Sequence, residues 1–148
     1  MDRRSWSLII FLCILGGLYA FGFSDWFARK TIHVSVSYRP AAPGANADIV
    51  PMVFGLDEDY PLTQIKISEL PNGDTNAPGS VTWHVASKTK TDPIRGFVYG
   101  ENLKGLEPAP GSSGIVPLKP GSVYRVDVAA GKIKGTSFFN ARAPDAPQ

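Results

Sequence analysis

Two histidines are candidates for catalysis or metal binding in this sequence. His33 and His84 are the only imidazoles, and each falls on the polar side of an alternating pattern. A zinc site usually takes three or four ligands from cysteine, histidine and carboxylates, and the one cysteine, Cys13, lies inside an apolar run. A metal or catalytic role for His84 is therefore the alternative to an ordinary exposed histidine beside a core tryptophan.

Asp57, Glu58 and Asp59 form the densest acidic cluster, in the stretch "LDEDYPLT". Three carboxylates at a strand end could hold calcium if backbone oxygens completed the shell, but the glycine-punctuated calcium-loop pattern is missing. We interpret the cluster as a solvated turn that also keeps an edge strand from pairing wrongly. A calcium-dependent or small hydrolytic protein centred on Asp57, Asp59 and His84 is the third of three function hypotheses.

The remaining motifs do not indicate an enzyme. The sequence contains no GxSxG, HExxH, P-loop or dinucleotide fingerprint, and the loop glycines at 111–114 precede no predicted helix. Arg125, Asp127, Lys132 and Lys134, around the last hairpin, are predicted to pair across strands. The basic patch 88–90 is interpreted as a solvated loop. We predict no catalytic residue, no cofactor and no metal site.

The charge balance argues against nucleic acid as a partner. The chain has 15 basic and 13 acidic residues, of which four basic and two acidic lie in the first 30. Residues 31–148 therefore carry 11 of each, and a region without net charge lacks the basic footprint of a nucleic-acid-binding protein.

The N-terminal segment is predicted to be a membrane anchor. Residues 5–24 contain no charge, and at about 1.5 Å per residue they make roughly 30 Å of helix, the thickness of the hydrocarbon core of a bilayer. A cleaved signal peptide is the alternative, but the apolar run is long for one and Leu18 is bulky at position −3 of a cut after Ala20. Trp6 and Trp26 are spaced as the two interfaces of a membrane would be.

The predicted topology is single-pass. Residues 1–4 are assigned to the cytoplasm, 5–24 to the membrane, 25–30 to the juxtamembrane segment, and everything after Lys30 to the extracytoplasmic side, periplasmic or cell-surface. Gly16, Ala20 and Ser24 repeat every four residues and could form a homodimer seam. No disulfide can form with a single cysteine, which fits cytosol and periplasm equally.

The rest of the chain is predicted to be all-β. Alternating apolar and polar residues predict seven strands in two antiparallel sheets over 31–142, with a disordered tail at 143–148 and a loop at 101–114 that follows a sheet edge. Val81, Trp83 and Val85 are expected on the buried face of one strand, opposite Thr82 and His84. The predicted strands cover residues 31–38, 49–57, 61–70, 81–86, 94–100, 122–128 and 133–139.

A short motif in the sixth strand resembles a known sandwich. The pattern L-x-P-G-x-x-Y-x-V-x-V, from Leu118 to Val128, is similar to the tyrosine corner of fibronectin type III domains, a branch of the immunoglobulin-like sandwiches. The resemblance covers about residues 80–142. It implies that the Tyr124 hydroxyl bonds to the backbone a few residues upstream and that Trp83 is the buried core tryptophan. The combination of "WHVAS", "PIRGFVYG" and "YRVDVAAGKIKG" also resembles small uncharacterised bacterial membrane-anchored proteins.

The leading function hypothesis is a non-enzymatic, membrane-anchored sandwich that acts through protein–protein contacts as an envelope assembly or scaffold component. Its recognition surfaces are expected in the loops 71–79 and 101–114. The alternative is a carbohydrate- or cell-wall-binding module, whose aromatic platform would come from Tyr60, Tyr99 or Phe138 if these rings face outward.

Overall fold

The computed structural model describes residues 3–27, 30–39, 52–112 and 114–142, and within the first range the side chains of 5–22. The chain divides into two compact units, residues 1–30 and 31–148. The first is one α-helix, α1, Arg3–Phe27. Its stretch Ser5–Gly22 is long and apolar enough to cross a membrane, a description that a signal sequence near an N-terminus also meets.

The second unit is built from antiparallel strands. Strands β1, β2 and β5 form one sheet in the order β1-β2-β5, and the other five form a second sheet in the order β6-β4-β3-β7-β8. Eight strands stand among the described residues, against seven in the prediction. Their bounds are β1 Val34–Tyr38, β2 Met52–Tyr60, β3 Gln64–Leu70, β4 Ser80–Ala86, β5 Ile94–Val98, β6 Glu107–Pro108, β7 Val123–Ala130 and β8 Ile133–Asn140.

One hydrophobic core joins the two sheets. The alternation of β7, in which every second residue is buried, turns Tyr124, Val126 and Val128 inward, as predicted. Phe54 of β2 stacks on Phe97 of β5 with ring centroids 5.0 Å apart. Phe54 also meets Phe139 of β8 edge to face, so the aromatic rings connect the inner faces of both sheets.

Both residues on which the sandwich prediction depends are buried. Tyr124 is 0% exposed and Trp83 is 3% exposed. The backbone N–H of Lys119 donates a hydrogen bond of 2.8 Å to the Tyr124 hydroxyl oxygen, so the predicted bond to the upstream backbone is confirmed. Trp83 lies edge to face with Tyr99, with ring centroids 5.5 Å apart.

The face predicted for part of β4 is wrong. Val81 is 39% exposed and Thr82 is buried, the reverse of the simple alternation. The register between β3 and β4 shifts between Ile67 and Ser68, so β4 carries an extra residue there and its earlier part turns to the other face. The Thr82 hydroxyl donates to the Ile67 carbonyl at 3.1 Å, which satisfies the buried hydroxyl at this bulge.

The acidic cluster is also placed differently from the prediction. Asp57, Glu58 and Asp59 lie inside β2, where the pairing with β5 is irregular between Gly55 and Tyr60, and not in a turn after the strand. All three are exposed, as a bulged segment permits. The predicted residues 49–51 of this strand and the tail 143–148 lie outside the described residues.

Residues 107–112 and 114–116 run along the β4 edge, as predicted for the loop 101–114. Residues 107–108 pair with β4 as the short strand β6. The N–H of Ala109 donates to the carbonyl of His84, and the N–H of Val116 to that of Thr82, both at 3.0 Å. We call this segment the edge cover.

Candidate functional site

The outer face of the five-stranded sheet carries a row of four cross-strand neighbours whose two end residues are apolar and exposed. Ser68 of β3 pairs with Val81 on one side and with Arg125 of β7 on the other, and Arg125 pairs with Phe138 of β8. Val81 and Phe138, at the two ends of this row, are 39% and 46% exposed. Beyond α1, Ile115 is the other large hydrophobic residue with this degree of exposure among the described side chains. Val81, Ser68, Arg125 and Phe138 are called the apolar row after its two exposed ends, and its centre holds the buried Ser68 and the charged Arg125.

Phe138 also stands at an edge where strand pairing stops. The N–H of Ile32 donates to the carbonyl of Lys134 at 3.1 Å, and residue 31 forms a parallel bridge with the same lysine. Beyond Lys134 no strand among the described residues pairs with the outer side of β8. Backbone groups on an unpaired edge are free to accept another strand.

A groove follows this edge between the two sheets. It measures about 540 Å³ and is lined by the edge strands β1 and β8 and by Met52 at the start of β2. Apolar side chains from both sheets contribute to it, among them Val36 and Phe139, together with Arg142 at one end. The groove and the apolar row meet at Phe138.

A polar row runs parallel to the apolar row on the same outer face. Its members, in cross-strand order, are His84, Lys66, Asp127 and Thr136. Asp127 accepts from Arg125 Nε at 3.0 Å and from the Thr136 hydroxyl at 2.7 Å. The Arg125–Asp127 ion pair joins residues two apart on one strand, so the prediction of ion pairs across strands is corrected for this pair. Lys132 and Lys134 are exposed.

His84 does not form a catalytic or metal-binding arrangement with the acidic cluster. Its Nε2 lies 2.9 Å from Gln64 Nε2, and it stands on the five-stranded sheet while Asp57 stands on the other. Partial burial, with the nearby Lys66 charge adding to it, lowers the pKa of His84. A neutral ring that shares a hydrogen bond with an amide is consistent with a structural histidine.

Asp57 is engaged by the backbone of β1. Its Oδ1 accepts from the N–H of His33 at 3.2 Å. Desolvation acts in the opposite direction, but backbone hydrogen bonds from His33 and from Asp57 itself hold the pKa of Asp57 below its ordinary value. Among the described residues no group of three or more histidine, cysteine, aspartate or glutamate side chains stands close enough to hold a metal ion.

The loop 71–79 borders a second polar cluster. Glu69 accepts from Lys119 Nζ at 3.0 Å and from the Ser122 hydroxyl at 2.9 Å, beside an open cavity of about 670 Å³. The hydrogen bond from Lys119 lowers the pKa of Glu69. The Lys119 side chain is 68% exposed, so solvent screens this ion pair and its contribution to stability is small.

Two of the three rings proposed for a sugar platform are buried. Tyr60 is 3% exposed and Tyr99 is 4% exposed, and Phe138 alone faces outward. The Tyr99 hydroxyl donates to the carbonyl of Val116 at 2.6 Å and lies 3.3 Å from that of Thr82. Tyr99 therefore fixes the edge cover.

Phe138 and Arg125 were predicted on strands from their alternation, but no sequence pattern places them in one row with Val81. Val81 was assigned to the buried face because no signal in the sequence marks the bulge. Comparisons of the chain with family models, with curated proteins and with solved structures find no match.

Proposed function

We propose that residues 31–142 form a fibronectin type III-like sandwich. Immunoglobulin-like domains place their first, second and fifth strands in one sheet and the strands C, F and G in the other. The order β1-β2-β5 and the neighbours β3-β7-β8 support this assignment, if the two-residue β6 is counted as part of the edge cover. The fourth strand lies beside β3, as added strands of variable-type domains do beside C. Trp83 departs from the immunoglobulin pattern, because it stands on the fourth strand instead of the third.

The helix α1 supports the proposal of a single-pass anchor with the sandwich on the extracytoplasmic side. The test is the intact mass of the protein recovered from a membrane fraction, which separates a retained helix from a cleaved one. Labelling of a Lys88→Cys variant by a membrane-impermeant maleimide in whole cells then reports the side. Label at this exposed position before lysis supports the proposal, whereas label only after lysis places the sandwich in the cytoplasm.

The function we propose is protein–protein contact without catalysis, in assembly or scaffolding of a cell envelope. The observation that carries it is Phe138, an exposed aromatic ring at the unpaired edge of β8 that joins the apolar row to the groove. An incoming strand can hydrogen-bond to such an edge while its side chains contact neighbouring apolar surface. Aromatic and arginine side chains at the centre of a patch are the residues that contribute most to binding energy in interfaces. The homodimer seam of Gly16, Ala20 and Ser24 stays a separate proposal for α1.

Site-specific photo-crosslinking tests this function. A benzophenone amino acid is placed at position 138 in the full-length protein and irradiated in native membranes. We expect one discrete adduct, because a specific partner holds the ring in a single environment. The matched control carries the same amino acid at position 104, whose lysine side chain is 91% exposed and far along the chain from the row.

The charge variant Arg125→Glu sharpens the result. It changes the centre of the apolar row and replaces the ion pair with Asp127 by a like-charge pair, so it should weaken the adduct at 138, and the amount of protein in the membrane is measured beside it to separate lost contact from lost stability. Absence of any adduct at 138, or the same adducts from positions 138 and 104, would contradict a specific contact at this edge.

A further inference from the structure

The open part of β8 presents the backbone groups of every second residue. The carbonyl of Lys134 accepts a hydrogen bond from the N–H of Ile32 and therefore points away from β7. The N–H and the carbonyl of Ala141 bond in the opposite direction, to residues 121–122 just before β7. Because backbone groups alternate in direction along a strand, the outward groups beyond Lys134 belong to residues 136, 138, 140 and 142.

This stretch lacks the features that usually keep an edge strand from pairing with another chain. Protected edges carry lysine or proline, or a bulge twists them away. Residues 136–142 contain neither lysine nor proline, and the register of β8 with β7 is regular along its whole length. The stretch is therefore suited to pairing with a further strand.

The two ends of the open stretch carry opposite charges on the outer face. At one end, the Thr136 hydroxyl donates to Asp127 Oδ1, while Arg125 bonds only to Oδ2 of the same carboxylate. At the other end, Arg142 is exposed and forms no ion pair with any described side chain. An antiparallel copy of the same strand brings these two ends together, so its Arg142 lies beside Thr136 and the carboxylate.

An antiparallel pairing centred on Phe139 uses all of the outward groups. Thr136 then lies opposite Arg142 of the second copy, and Phe138 lies opposite Asn140. The twofold symmetry of such a pair repeats both contacts. Each pair of facing residues exchanges two backbone hydrogen bonds.

A pairing centred on Phe138 is less favourable. It would place Arg142 of the second copy beside Lys134, where Ile32 is already bonded and where the two charges are alike. In the pairing centred on Phe139, the two Phe138 rings are diagonal neighbours, a separation that aromatic side chains bridge. That pairing therefore also covers the exposed ring.

We propose that β8 pairs antiparallel with β8 of a second copy of this chain, so that two five-stranded sheets become one continuous sheet. This inference rests on the contact proposed at Phe138 and names its partner. A retained α1 holds all copies in one membrane, which raises their effective concentration and favours self-association.

The mass of the crosslinked adduct tests the identity of the partner. The benzophenone amino acid at position 138 should give an adduct of twice the mass of the chain in native membranes. An adduct with a different protein would leave the contact at Phe138 intact and overturn the second copy as its partner. A crosslink within one chain would show that another segment of the same chain covers the edge, which overturns both proposals.

Disulfide formation between copies tests the register. In a Cys13→Ser background, one tagged chain carries Phe138→Cys and a differently tagged chain carries Asn140→Cys, so one Phe138 remains in the dimer. These residues face each other at about 5.5 Å between Cα atoms, a distance that a disulfide spans. Thr136→Cys in both copies is the matched control, because its two positions lie about 20 Å apart along the strands. Absence of the mixed disulfide, or equal yields from both combinations, overturns the register.

A reversal of charge tests the contact at the end of the strand. Arg142→Glu places a carboxylate beside Asp127 of the second copy and should weaken dimerisation in detergent about two- to tenfold. Arg95→Glu makes the same change at an exposed position of β5 and should leave dimerisation unchanged. Equal effects of the two variants would contradict the charge contact. Analytical ultracentrifugation of the full-length protein measures both.

Proline at position 140 tests the backbone pairing itself. Asn140→Pro removes an outward N–H and none of the bonds to β7, an orientation in which edge strands tolerate proline. It should weaken dimerisation at least about tenfold, because this N–H is used twice in the dimer. Asn140→Ala keeps the N–H and is the matched control. Equal dimerisation of the two variants overturns the proposal, and if the proline variant has a lowered melting temperature the disulfide pattern decides.

Discussion

The two long borders of the five-stranded sheet, at β4 and at β8, differ in what lies beside them. The edge cover follows β4, bonded to it through the carbonyls of His84 and Thr82 and secured by Tyr99. Along β8 only the region of Ile32 makes such a contact, at Lys134, and the described chain offers no partner beyond it. A sheet whose one border is sealed and whose other is open can accept a strand on one side alone. Any contact made by addition of a strand to this sheet is therefore expected at β8 and not at β4.

The open edge differs from a frayed edge in its packing. Phe139 and Tyr124 stack with ring centroids 5.4 Å apart directly beneath β8, and both are buried. The strand is held along its length by β7, with register pairs from Val123 to Ala130. We infer that the outer backbone groups of β8 are available for hydrogen bonds while its inner side chains are already packed. A strand could therefore add to this edge without rearrangement of the core.

The largest expected effect comes from Phe139→Ala. This change removes a buried ring that contacts both Tyr124 and Phe54, and truncation of a core phenylalanine costs about 3–5 kcal/mol. Chemical denaturation of the full-length protein measures the free energy of unfolding. A cost under about 1 kcal/mol would mean that the core beneath the open edge is loose, and the comparison between the two borders would fail.

Gly135→Ala tests the place where the open edge begins. A Cβ atom at this position would collide with the carbonyl oxygen of Ile32, which comes from the chain that crosses to β8. Overpacking of this kind costs about 1–3 kcal/mol. Lys134→Ala is the control, because that side chain is exposed and its backbone bonds remain. Equal melting temperatures for the two variants would show that the crossing at Ile32 is not tightly held.

Alkaline pH should weaken the sealed border. Burial raises the pKa of Tyr99 above its ordinary value of 10.0, although the hydrogen bond with Thr82 acts in the opposite direction. Because the folded protein holds this proton more tightly than the unfolded chain, the contribution to stability is present below about pH 10. It is lost as the pH rises through the raised pKa.

The variant Tyr99→Phe isolates this contribution. It should flatten the fall in melting temperature above pH 10 and speed amide exchange at Val116, because the bond to the edge cover is gone. The Tyr124 hydroxyl, whose pKa is also raised by burial, leaves part of the slope in place. An unchanged slope would mean that the Tyr99 proton does not distinguish the folded from the unfolded state.

The sequence predicted those features of the fold that depend on local alternation. Tyr124, Val126 and Val128 follow a period of two, so their burial could be derived from alternation, whereas the hydrogen bond of the Tyr124 hydroxyl was expected only from the resemblance to a tyrosine corner. The loop 101–114 was also predicted to follow a sheet edge, and its described residues from Glu107 onward do so along β4.

Features that depend on register between strands could not be predicted. The extra residue at Thr82 exposes Val81, and it becomes visible only when β3 and β4 are placed side by side. The position of residues 57–59 inside β2 could not be predicted for the same reason, because an irregularly paired strand segment and a turn have similar polar sequences.

Phe138→Ala should have the smallest effect on stability and the most specific effect on binding. The ring is 46% exposed, and surface substitutions of this kind change the free energy of unfolding by at most about 0.5 kcal/mol. Removal of the exposed aromatic ring where the row meets the groove should nevertheless weaken partner binding by more than 1 kcal/mol, or more than about fivefold. Denaturation curves and crosslinking from a benzophenone amino acid at position 136, on the same outer face, measure the two effects side by side. If stability and the adduct are lost together, the ring supports the fold. If a partner binds the variant unchanged, the contact does not lie at the open edge of β8.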